Sequence, residues 1–244
     1  MERREYERLA ATEERLWWFG ALHRNLIAAW RGAARPAAAS AAAVLDAGCG
    51  TGGFLAKLAA QFPGDAVGLD RDAFACALAR GKSGTGVVLG SIDALPFADR
   101  SFDAIFSADV LCHRGIDQRL ALAELRRCLR PGGVLVLNLP AYRWMLSAHD
   151  RAVDNARRYG SGEVARLLAQ AGFAGISTRY WNSLLFPLMV LKRKLLPGGD
   201  GDVALMPAPL ERCFAAIARF ETWLATMGLR LPFGGSIVAV GIRP

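Results

Sequence analysis

The chain has 244 residues, of which 53% are hydrophobic and 21% are charged. This composition supplies a full hydrophobic core, excludes an intrinsically disordered chain and predicts one large domain or one domain with a sizeable insertion. Thirty lysines and arginines against 22 aspartates and glutamates give a formal net charge of +8, which suits acidic ligands, nucleic acid or an anionic membrane surface. A coding bias toward arginine and alanine explains the same charge without an acidic partner.

The five cysteines are odd in number and form no C-x-x-C pair, which favours free thiols in a reducing compartment and argues against a zinc site. The segment Met1 to Arg15 is heavily charged and does not resemble a signal peptide. Apolar runs stay shorter than the roughly 20 residues that span a bilayer. We therefore predict a cytoplasmic protein without a metal site.

A helical segment opens the chain, from about Glu2 to Trp30, and carries the aromatic cluster Trp17-Trp18-Phe19. The alanine-rich stretch from Gly32 to Ala43 is typical of a linker. We expect residues 1–43 to form a helical cap with its linker, and residues 44–244 to form the main domain.

Short apolar segments alternate with helical ones after the linker. The predicted strands are Val44–Ala47, Ala66–Leu69, Val87–Leu89, Ala104–Ser107, Val134–Leu139, Ile176–Trp181 and Ser236–Ile242. The predicted helices lie near Gly53–Gln61, Ala73–Arg80 and Asp117–Arg130, and from Ser161 as N-cap to Gly172. This alternation predicts an α/β fold whose parallel sheet is covered by helices on both faces.

A helical insertion is predicted at about residues 184–231, because roughly fifty residues separate the last two strands, far more than a hairpin needs. Its first helix combines a leucine face with the cations Lys192-Arg193-Lys194, and its second runs between Pro209 and Gly228. This insertion is a candidate lid, dimer surface or membrane contact, or an extra helical layer packed on the sheet.

The stretch Val44 to Phe54 carries four glycines within six positions, between a predicted strand and a predicted helix. Backbone N–H groups at such a turn are open to a nucleotide-type cofactor. The glycines at 48, 50 and 53 satisfy G-x-G-x-x-G, and Asp70 lies 20 residues after the second of them, as in dinucleotide-binding folds. The glycines at 48, 50 and 52, preceded by Asp46, equally satisfy G-x-G-x-G.

Three further features follow the glycine loop in a regular order. Asp70 ends the second strand, Ser91-Ile92-Asp93-Ala94-Leu95-Pro96-Phe97 follows the third, and Ser101-Phe102-Asp103-Ala104-Ile105-Phe106 is paired with Leu129-Arg130-Pro131-Gly132-Gly133. With these features the chain resembles the class I S-adenosylmethionine-dependent methyltransferases, particularly the small-molecule group related to ubiquinone-biosynthesis enzymes. The resemblance covers about Val44 to Leu139 well and the whole chain more loosely. It implies a Rossmann-like sheet of seven mostly parallel strands with an antiparallel last strand, and S-adenosylmethionine as cofactor.

The resemblance also implies roles for single residues. Asp70 would accept both ribose hydroxyls, Asp93 with Ile92 would meet the adenine, and Asp46 would lie near the methionine ammonium. The N-terminal helix would fold over the cofactor, with Arg24 reaching the methionine carboxylate. The predicted cofactor-binding residues are Asp46, Gly48, Cys49, Gly50, Gly52, Asp70, Arg71, Ser91, Ile92, Asp93, Ala108, Trp18 and Arg24.

Methyl transfer from an already activated cofactor requires positioning of the acceptor and only sometimes a base. His149, after the fifth strand, is the first candidate base, with Asp150 to orient it. His113, after the fourth strand, is the second candidate or a residue of the pocket wall. Arg157-Arg158-Tyr159 would bind an anionic acceptor or cap a loop. The histidines alone favour O-methylation over N- or C-methylation.

A nucleic-acid substrate is disfavoured by the segment after the fourth strand. Enzymes that methylate exocyclic amines of bases resemble one another in an N/D-P-P-Y/F tetrad at this place. Here the segment is Ser107-Ala108-Asp109-Val110, which has no proline and no aromatic residue to stack on a flipped base. We therefore expect a small organic acceptor, apolar or lipid-like.

Other interpretations stay open. A NAD(P)-dependent oxidoreductase would explain the glycine loop and Asp70, but neither Asp93 nor the final pair of strands. A protein that binds S-adenosylmethionine without catalysis would also carry these motifs. The leucine face and cations of residues 184–196 suit a peripheral membrane module at the inner membrane face, or a homodimer surface.

Overall fold

The computed structural model describes residues 3–33, 43–62, 65–147, 150–151, 153–195 and 206–244. Within these ranges seven strands form one sheet: β1 (Val44–Ala47), β2 (Ala66–Asp70), β3 (Gly86–Leu89), β4 (Phe102–Ala108), β5 (Leu129–Pro140), β6 (Ala174–Trp181) and β7 (Ser236–Ile242). Their order is β3-β2-β1-β4-β5-β7-β6. The pairs from β3 to β5 are parallel, and β7 is antiparallel to both β5 and β6. The predicted fold class is confirmed.

Helices cover both faces of the sheet: α1 (Arg3–Thr12), α2 (Trp17–Ala33), α3 (Gly53–Gln61), α4 (Ala73–Ser83), α5 (Gln118–Cys128), α6 (Ser161–Gln170), α7 (Phe186–Leu195) and α8 (Ala208–Thr226). Two apolar cores result, one beneath α2, α3 and α4 and one beneath α5 and α6. Ile105 and Phe106 of β4 enter opposite cores, because successive side chains of a strand point to opposite faces.

The chain order of the strands reverses direction between β1 and β4. In an open parallel sheet, a crevice forms at such a switch point, beyond the carboxyl ends of the strands. Asp46 near the end of β1, Asp70 at the end of β2 and Ala108 at the end of β4 are therefore brought to one edge. The topology alone places the predicted cofactor residues of three separate segments together.

The helical segment expected from about Glu2 to Trp30 consists of two helices, α1 and α2. The first residue of α2, Trp17, donates its backbone N–H to the carboxylate of Glu211 at 2.9 Å. That carboxylate satisfies one of the unpaired N–H groups that every helix N-terminus exposes, so a new helix begins there. The predicted linker largely falls on residues 34–42, outside the described ranges.

The expected N-cap at Ser161 is also wrong by one residue. Gly160 is the N-cap of α6, and its N–H donates to Glu163 Oε2 at 3.4 Å, while the hydroxyl of Ser161 bonds that of Thr178 at 2.8 Å. The serine hydroxyl is thus engaged by the neighbouring strand β6. An extended glycine followed by a glutamate at the third helical position replaces the serine cap.

The two helices of the predicted insertion have different surroundings. α8 packs along α2, where Asn25 Nδ2 donates to Thr222 Oγ1 at 3.3 Å and the rings of Trp17 and Phe214 meet edge to face at 5.7 Å. α7 keeps Leu188 and Leu191 about half exposed. In the described part of the chain, no helix combines the length and apolar character needed to cross a membrane.

Candidate cofactor and acceptor site

A cavity of about 460 Å³ lies at the carboxyl edge of the sheet, beside the β1–β4 switch point. This volume is in the range of small-molecule binding sites. Asp46, Asp70 and Ala108 line it from the strand ends, Trp18 lines it from α2, and Leu188 lines it from α7. The sheet, the N-terminal helices and the insertion therefore all contribute to one site.

The glycines of the loop serve two purposes. Gly48 and Gly52 have φ of 90° and 88°, and a Cβ on Gly52 would lie 2.6 Å from Ala79 Cα. These two positions need glycine because of the protein's own packing. Gly50 lines the cavity, has φ of 52°, and a Cβ there would meet no atom within 4 Å. Gly50 is thus the position where backbone is exposed to a ligand.

Asp70 holds the glycine loop in place. Its Oδ2 accepts the N–H of Gly50 at 2.8 Å and its Oδ1 accepts the N–H of Asp72 at 3.0 Å, although burial raises the pKa of the carboxyl. Each carboxylate oxygen can accept more than one hydrogen bond. Asp70 lines the cavity, so both oxygens retain the capacity to accept hydroxyl groups of a ligand.

Asp46 is buried with one carboxylate oxygen unsatisfied. Its Oδ2 has no hydrogen-bond partner among the described residues, and the same is true of the buried hydroxyl of Thr51. Burial, together with the nearby carboxylates of Asp70 and Glu13, raises the pKa of Asp46 to about 8. A cationic ligand group beside Asp46 would supply the missing partner and lower this pKa.

Aromatic side chains of α2 cover part of the cavity. Trp17, Trp18 and Phe19 all line it, as the sequence analysis expects of residues that fold over a cofactor. Trp18 lies 5.9 Å from the ring of Trp181, and Trp17 contacts Phe214. The aromatic cluster therefore also packs the cap on β6 and α8, so both of its predicted uses are compatible.

Comparison with known proteins points to one kind of domain. Residues 45–137, less than half of the chain, match the family model described as a methyltransferase domain. Relatives and solved structures that the chain resembles are S-adenosylmethionine-dependent methyltransferases. At the level of this domain, the predicted resemblance to that family is confirmed.

Among curated proteins, the chain is 37% identical over 142 residues to malonyl-[acyl-carrier protein] O-methyltransferase of Dechloromonas aromatica, covering 56% of this chain and 53% of that one. It is 34% identical over 119 residues to 24-methylenesterol C-methyltransferase 2 of Oryza sativa subsp. japonica, covering 46% and 31%. The chain thus spans about half, or less, of the length of these relatives.

Two solved structures extend the likeness to nearly the whole fold. A SAM-dependent methyltransferase from Thermotoga maritima aligns with TM-score 0.62 and 20% identity, covering 99% of this chain and 95% of that one. Phosphoethanolamine N-methyltransferase 2 of Haemonchus contortus, in complex with S-adenosyl-L-methionine, aligns with TM-score 0.59 and 16% identity, covering 90% and 52%. At these identities the likeness concerns the fold alone.

The cavity collects most of the predicted cofactor-binding residues. Those that line it are Asp46, Gly48, Cys49, Gly50, Asp70, Arg71, Ser91, Ile92, Ala108 and Trp18. The unsatisfied oxygen of Asp46 fits the ammonium group of S-adenosylmethionine, and the carboxylate of Asp70 fits its ribose. The open space beside Gly50 lets the cofactor approach the backbone. The individual roles stay predictions.

Three predicted residues lie outside the cavity lining. Gly52 packs on α4, and Asp93 Oδ2 accepts the N–H of Asp117 at 3.4 Å. Arg24 has two buried guanidinium nitrogens, Nε and Nη2, without a hydrogen-bond partner among the described residues. Arg24 therefore has unsatisfied hydrogen-bond donors but is not part of the cavity lining.

Of the two candidate catalytic histidines, the structure describes only His113. His149 lies outside the described residues. His113 lines the cavity, and burial together with the charge of Arg71 lowers its pKa, so its ring is neutral at neutral pH. Asp150, the expected partner of His149, accepts from Arg158 at 2.8 Å and from the N–H of Ser147 at 2.9 Å.

The segment Arg157-Arg158-Tyr159 donates hydrogen bonds to backbone carbonyls of the loop after β4. Arg157 donates to the carbonyl of His113 at 2.7 Å, and the Tyr159 hydroxyl donates to that of Leu111 at 2.9 Å. Arg158 lines the cavity, yet its guanidinium is committed to a buried ion pair with Asp150. The loop-capping interpretation is therefore the one that the contacts favour.

The cavity lining also contains residues without a predicted role, among them Tyr6, Glu13, Thr51 and Asp109. Glu13 forms a buried ion pair with Lys82 and lies against Gly53 at the start of α3, where the helix dipole favours a negative charge. Thr51 belongs to the glycine loop, and Asp109 directly follows β4. Both residues follow the carboxyl end of a predicted strand, and this position in the sequence could have identified them as candidate site residues.

Proposed function

We propose that this protein transfers the methyl group of S-adenosylmethionine to a small organic acceptor with an apolar body. The observation that carries the proposal is that Asp46 and Asp70 line the same cavity that continues to α7. The bound cofactor supplies a methyl group on a positively charged sulfur. The protein then has to orient the acceptor for in-line attack and to exclude water.

The acceptor end of the cavity is mainly apolar. Leu185, Leu188 and Met189 line it from the start of the insertion, and Phe214 lines it from α8. The charged side chain of Lys192 lines the same end. This combination favours an amphiphile whose apolar body lies along α7 and whose acidic group lies near Lys192, and we retain O-methylation as the favoured reaction.

Isothermal titration calorimetry tests the cofactor assignment first. S-adenosylmethionine and its demethylated product are expected to bind at micromolar concentration, while NADH and NADPH do not. Asp70→Ala abolishes binding, whereas the matched control Asp65→Ala, at an exposed loop position, leaves it unchanged. Binding of a nicotinamide cofactor instead would overturn the proposal.

The acceptor class is tested by release of S-adenosylhomocysteine with octanoic acid, para-octylphenol and octylamine as probes. Turnover of the oxygen probes above the amine supports O-methylation. Lys192→Ala is expected to raise the KM for octanoic acid, and Lys194→Ala, outside the cavity lining, serves as control. An equal response of both variants would remove Lys192 from acceptor binding.

A leucine surface adjoins the cavity through Leu188, which also lines it. It consists of Trp144, Leu184, Leu188 and Leu191, each about half exposed. Lys192 and Lys194 lie on the same helix, and the Lys194 ammonium stands 5.6 Å from the ring of Trp144. We infer that this surface docks peripherally on an anionic bilayer at the inner membrane face, because apolar side chains ringed by cations suit such an interface.

Co-sedimentation with vesicles tests the membrane inference. Phosphatidylglycerol vesicles are expected to retain the protein and phosphatidylcholine vesicles are not. Leu191→Asp should abolish retention, whereas Leu120→Asp, at an equally exposed position of α5, should not. A concentration-dependent homodimer that Leu191→Asp dissociates, without vesicle binding, would assign the leucine surface to a second copy of the chain instead.

A further inference from the structure

None of the predicted cofactor contacts involves Asp109, the acidic residue after β4. Asp109 follows β4 directly and lines the cavity. Its φ of 55° places it in the left-handed region, which aspartate and asparagine adopt more readily than most residues with a side chain. Residues that surrounding contacts hold in this region concentrate at functional sites. Here the backbone N–H of Asp109 donates to the carbonyl of Asn138 at 2.9 Å.

The segment that carries Asp109 lies against the glycine loop. A Cβ on Gly48 would lie 2.2 Å from Val110 Cγ2, so these two loops are in direct contact. Ala108, Asp109 and Val110 all line the cavity next to Gly48 and Gly50. Asp109 is thus placed where the cofactor part of the cavity meets its acceptor part.

A buried hydrogen-bond relay orients the Asp109 carboxylate. The Trp181 indole donates to Asn138 Oδ1 at 2.7 Å, and Asn138 Nδ2 donates to both Asp109 oxygens, at 3.0 and 2.9 Å. Because an indole N–H can only donate, it fixes the amide oxygen of Asn138 toward itself and the amide NH₂ toward Asp109. The relay therefore presents donors alone to Asp109 and favours its ionised form.

The charged groups that act on Asp109 are those of the buried pair formed by Arg158 and Asp150. Burial raises the pKa of Asp109 to about 7, while the hydrogen bonds from Asn138 and the charge of Arg158 oppose this rise and Asp150 adds to it. A carboxylate with a pKa near the working pH is well matched to accepting a proton.

We propose that Asp109 is the base that takes the proton of the methyl acceptor, held in position by Asn138 and Trp181. The inference rests on the proposed function. The acceptor O–H oxygen forms the new bond to the methyl carbon while the carbon–sulfur bond breaks. The electron pair of that bond stays on sulfur as a neutral thioether, and the acceptor proton passes to the Asp109 carboxylate.

Two probes of different acidity separate this role from a structural one. Para-octylphenol must lose a proton during transfer, whereas octanoic acid is already ionised at neutral pH. Asp109→Asn keeps the shape of the side chain and tolerates the left-handed backbone. It should lower kcat for the phenol by about 100-fold or more and leave that for octanoate nearly unchanged. Asp99→Asn, at an exposed site, is the control. An equal loss for both probes, or no loss for the phenol, would overturn the proposal.

Carboxyl NMR of ¹³C-aspartate-labelled enzyme tests Asp109 without any acceptor. In the S-adenosylhomocysteine complex, the ligand ammonium keeps Asp46 ionised. One remaining carboxyl should then titrate at about pH 7 and be missing from Asp109→Asn. Absence of a titrating Asp109 signal in a complex that forms normally would overturn this inference alone. Failure of the complex to form would instead overturn the proposed function.

Trp181→Phe tests the relay, because it removes the indole N–H and keeps an aromatic ring. The Asn138 amide is then free to turn its oxygen toward Asp109, which raises the pKa of that carboxyl. We expect the acid limb of kcat, and the Asp109 carboxyl signal, to move to higher pH. A uniform loss of kcat with an unshifted pH profile would reduce Trp181 to a packing role.

Discussion

The two ends of the cavity are built from the sequence in different ways. The cofactor end comes from β1, β2 and the glycine loop, and its key contact, from Gly50 to Asp70, joins residues only 20 positions apart. The acceptor end combines the loop after β4 with α7 and α8, which are far apart in the chain. A local motif thus specifies cofactor binding, whereas the tertiary fold specifies the acceptor.

The contacts that stabilise the two ends of the cavity also differ, being local at the cofactor end and long-range at the acceptor end. At the cofactor end, the backbone conformation of the glycine loop determines the shape of the site, as the positive φ of Gly48 and Gly52 shows. Near the acceptor end, side chains connect distant segments: the Glu211 carboxylate accepts the backbone N–H of Trp17, and the Trp181 indole donates to Asn138 Oδ1. The acceptor end can therefore change by substitution while the cofactor end keeps its sequence pattern.

The largest expected effect concerns the two kinds of glycine in the loop. Gly52→Ala introduces a Cβ 2.6 Å from a backbone atom at a positive φ, so the free energy of unfolding should fall by roughly 2–5 kcal/mol. Gly50→Ala should cost only about 1 kcal/mol but obstruct the ligand. Urea denaturation and calorimetry separate the two outcomes, and equal destabilisation by both variants would contradict the division.

A pH-dependent affinity for S-adenosylmethionine follows from Asp46. Its pKa is about 8 in the free protein, and the ligand ammonium requires the ionised form. Below that pH, binding must release a proton, so Kd should rise about tenfold per pH unit as pH falls. Calorimetry in buffers of different ionisation enthalpy measures the released proton. Asp46→Asn should bind weakly and without this pH dependence, and an unchanged slope in the variant would assign the proton elsewhere.

The attachment of the N-terminal cap gives a smaller effect. Lys82 pairs with buried Glu13, and Lys82→Met leaves that carboxylate without its cation beside Asp46. We expect a roughly three- to tenfold loss of cofactor affinity and faster proteolysis between α1 and α2. Glu14→Gln, at an exposed site 3.9 Å from the same ammonium, should change little. Equal effects of the two variants would show that the cap does not depend on the buried pair.

The smallest effect is expected at Asp93. The resemblance assigns it to the adenine, but the structure places it outside the cavity lining, with one 3.4 Å bond from Asp117. Asp93→Ala should therefore change S-adenosylmethionine affinity less than about twofold, within the range of surface substitutions. A loss comparable to that of Asp70→Ala would mean that the ligand draws Asp93 into contact.

The features that could be predicted from the sequence are those determined by residues close together in the chain. Strands β1 and β7 have the predicted bounds, and Asp70 meets the glycine loop because both follow buried strands of one parallel sheet. The break between α1 and α2 was not predictable, because the residue that caps α2 is Glu211, which lies 194 positions away. The position of Asp109 after β4 was visible in the sequence, but its contact with Asn138 was not, because Asn138 lies on a different strand.

A crystal structure of the enzyme with S-adenosylhomocysteine would test the central claim most directly. We expect the ribose hydroxyls to bind Asp70, the ammonium to lie beside Asp46, and the sulfur to face Asp109 in the apolar part of the cavity. A ligand bound elsewhere, or one whose sulfur faces away from Asp109 and α7, would contradict the division into cofactor and acceptor ends.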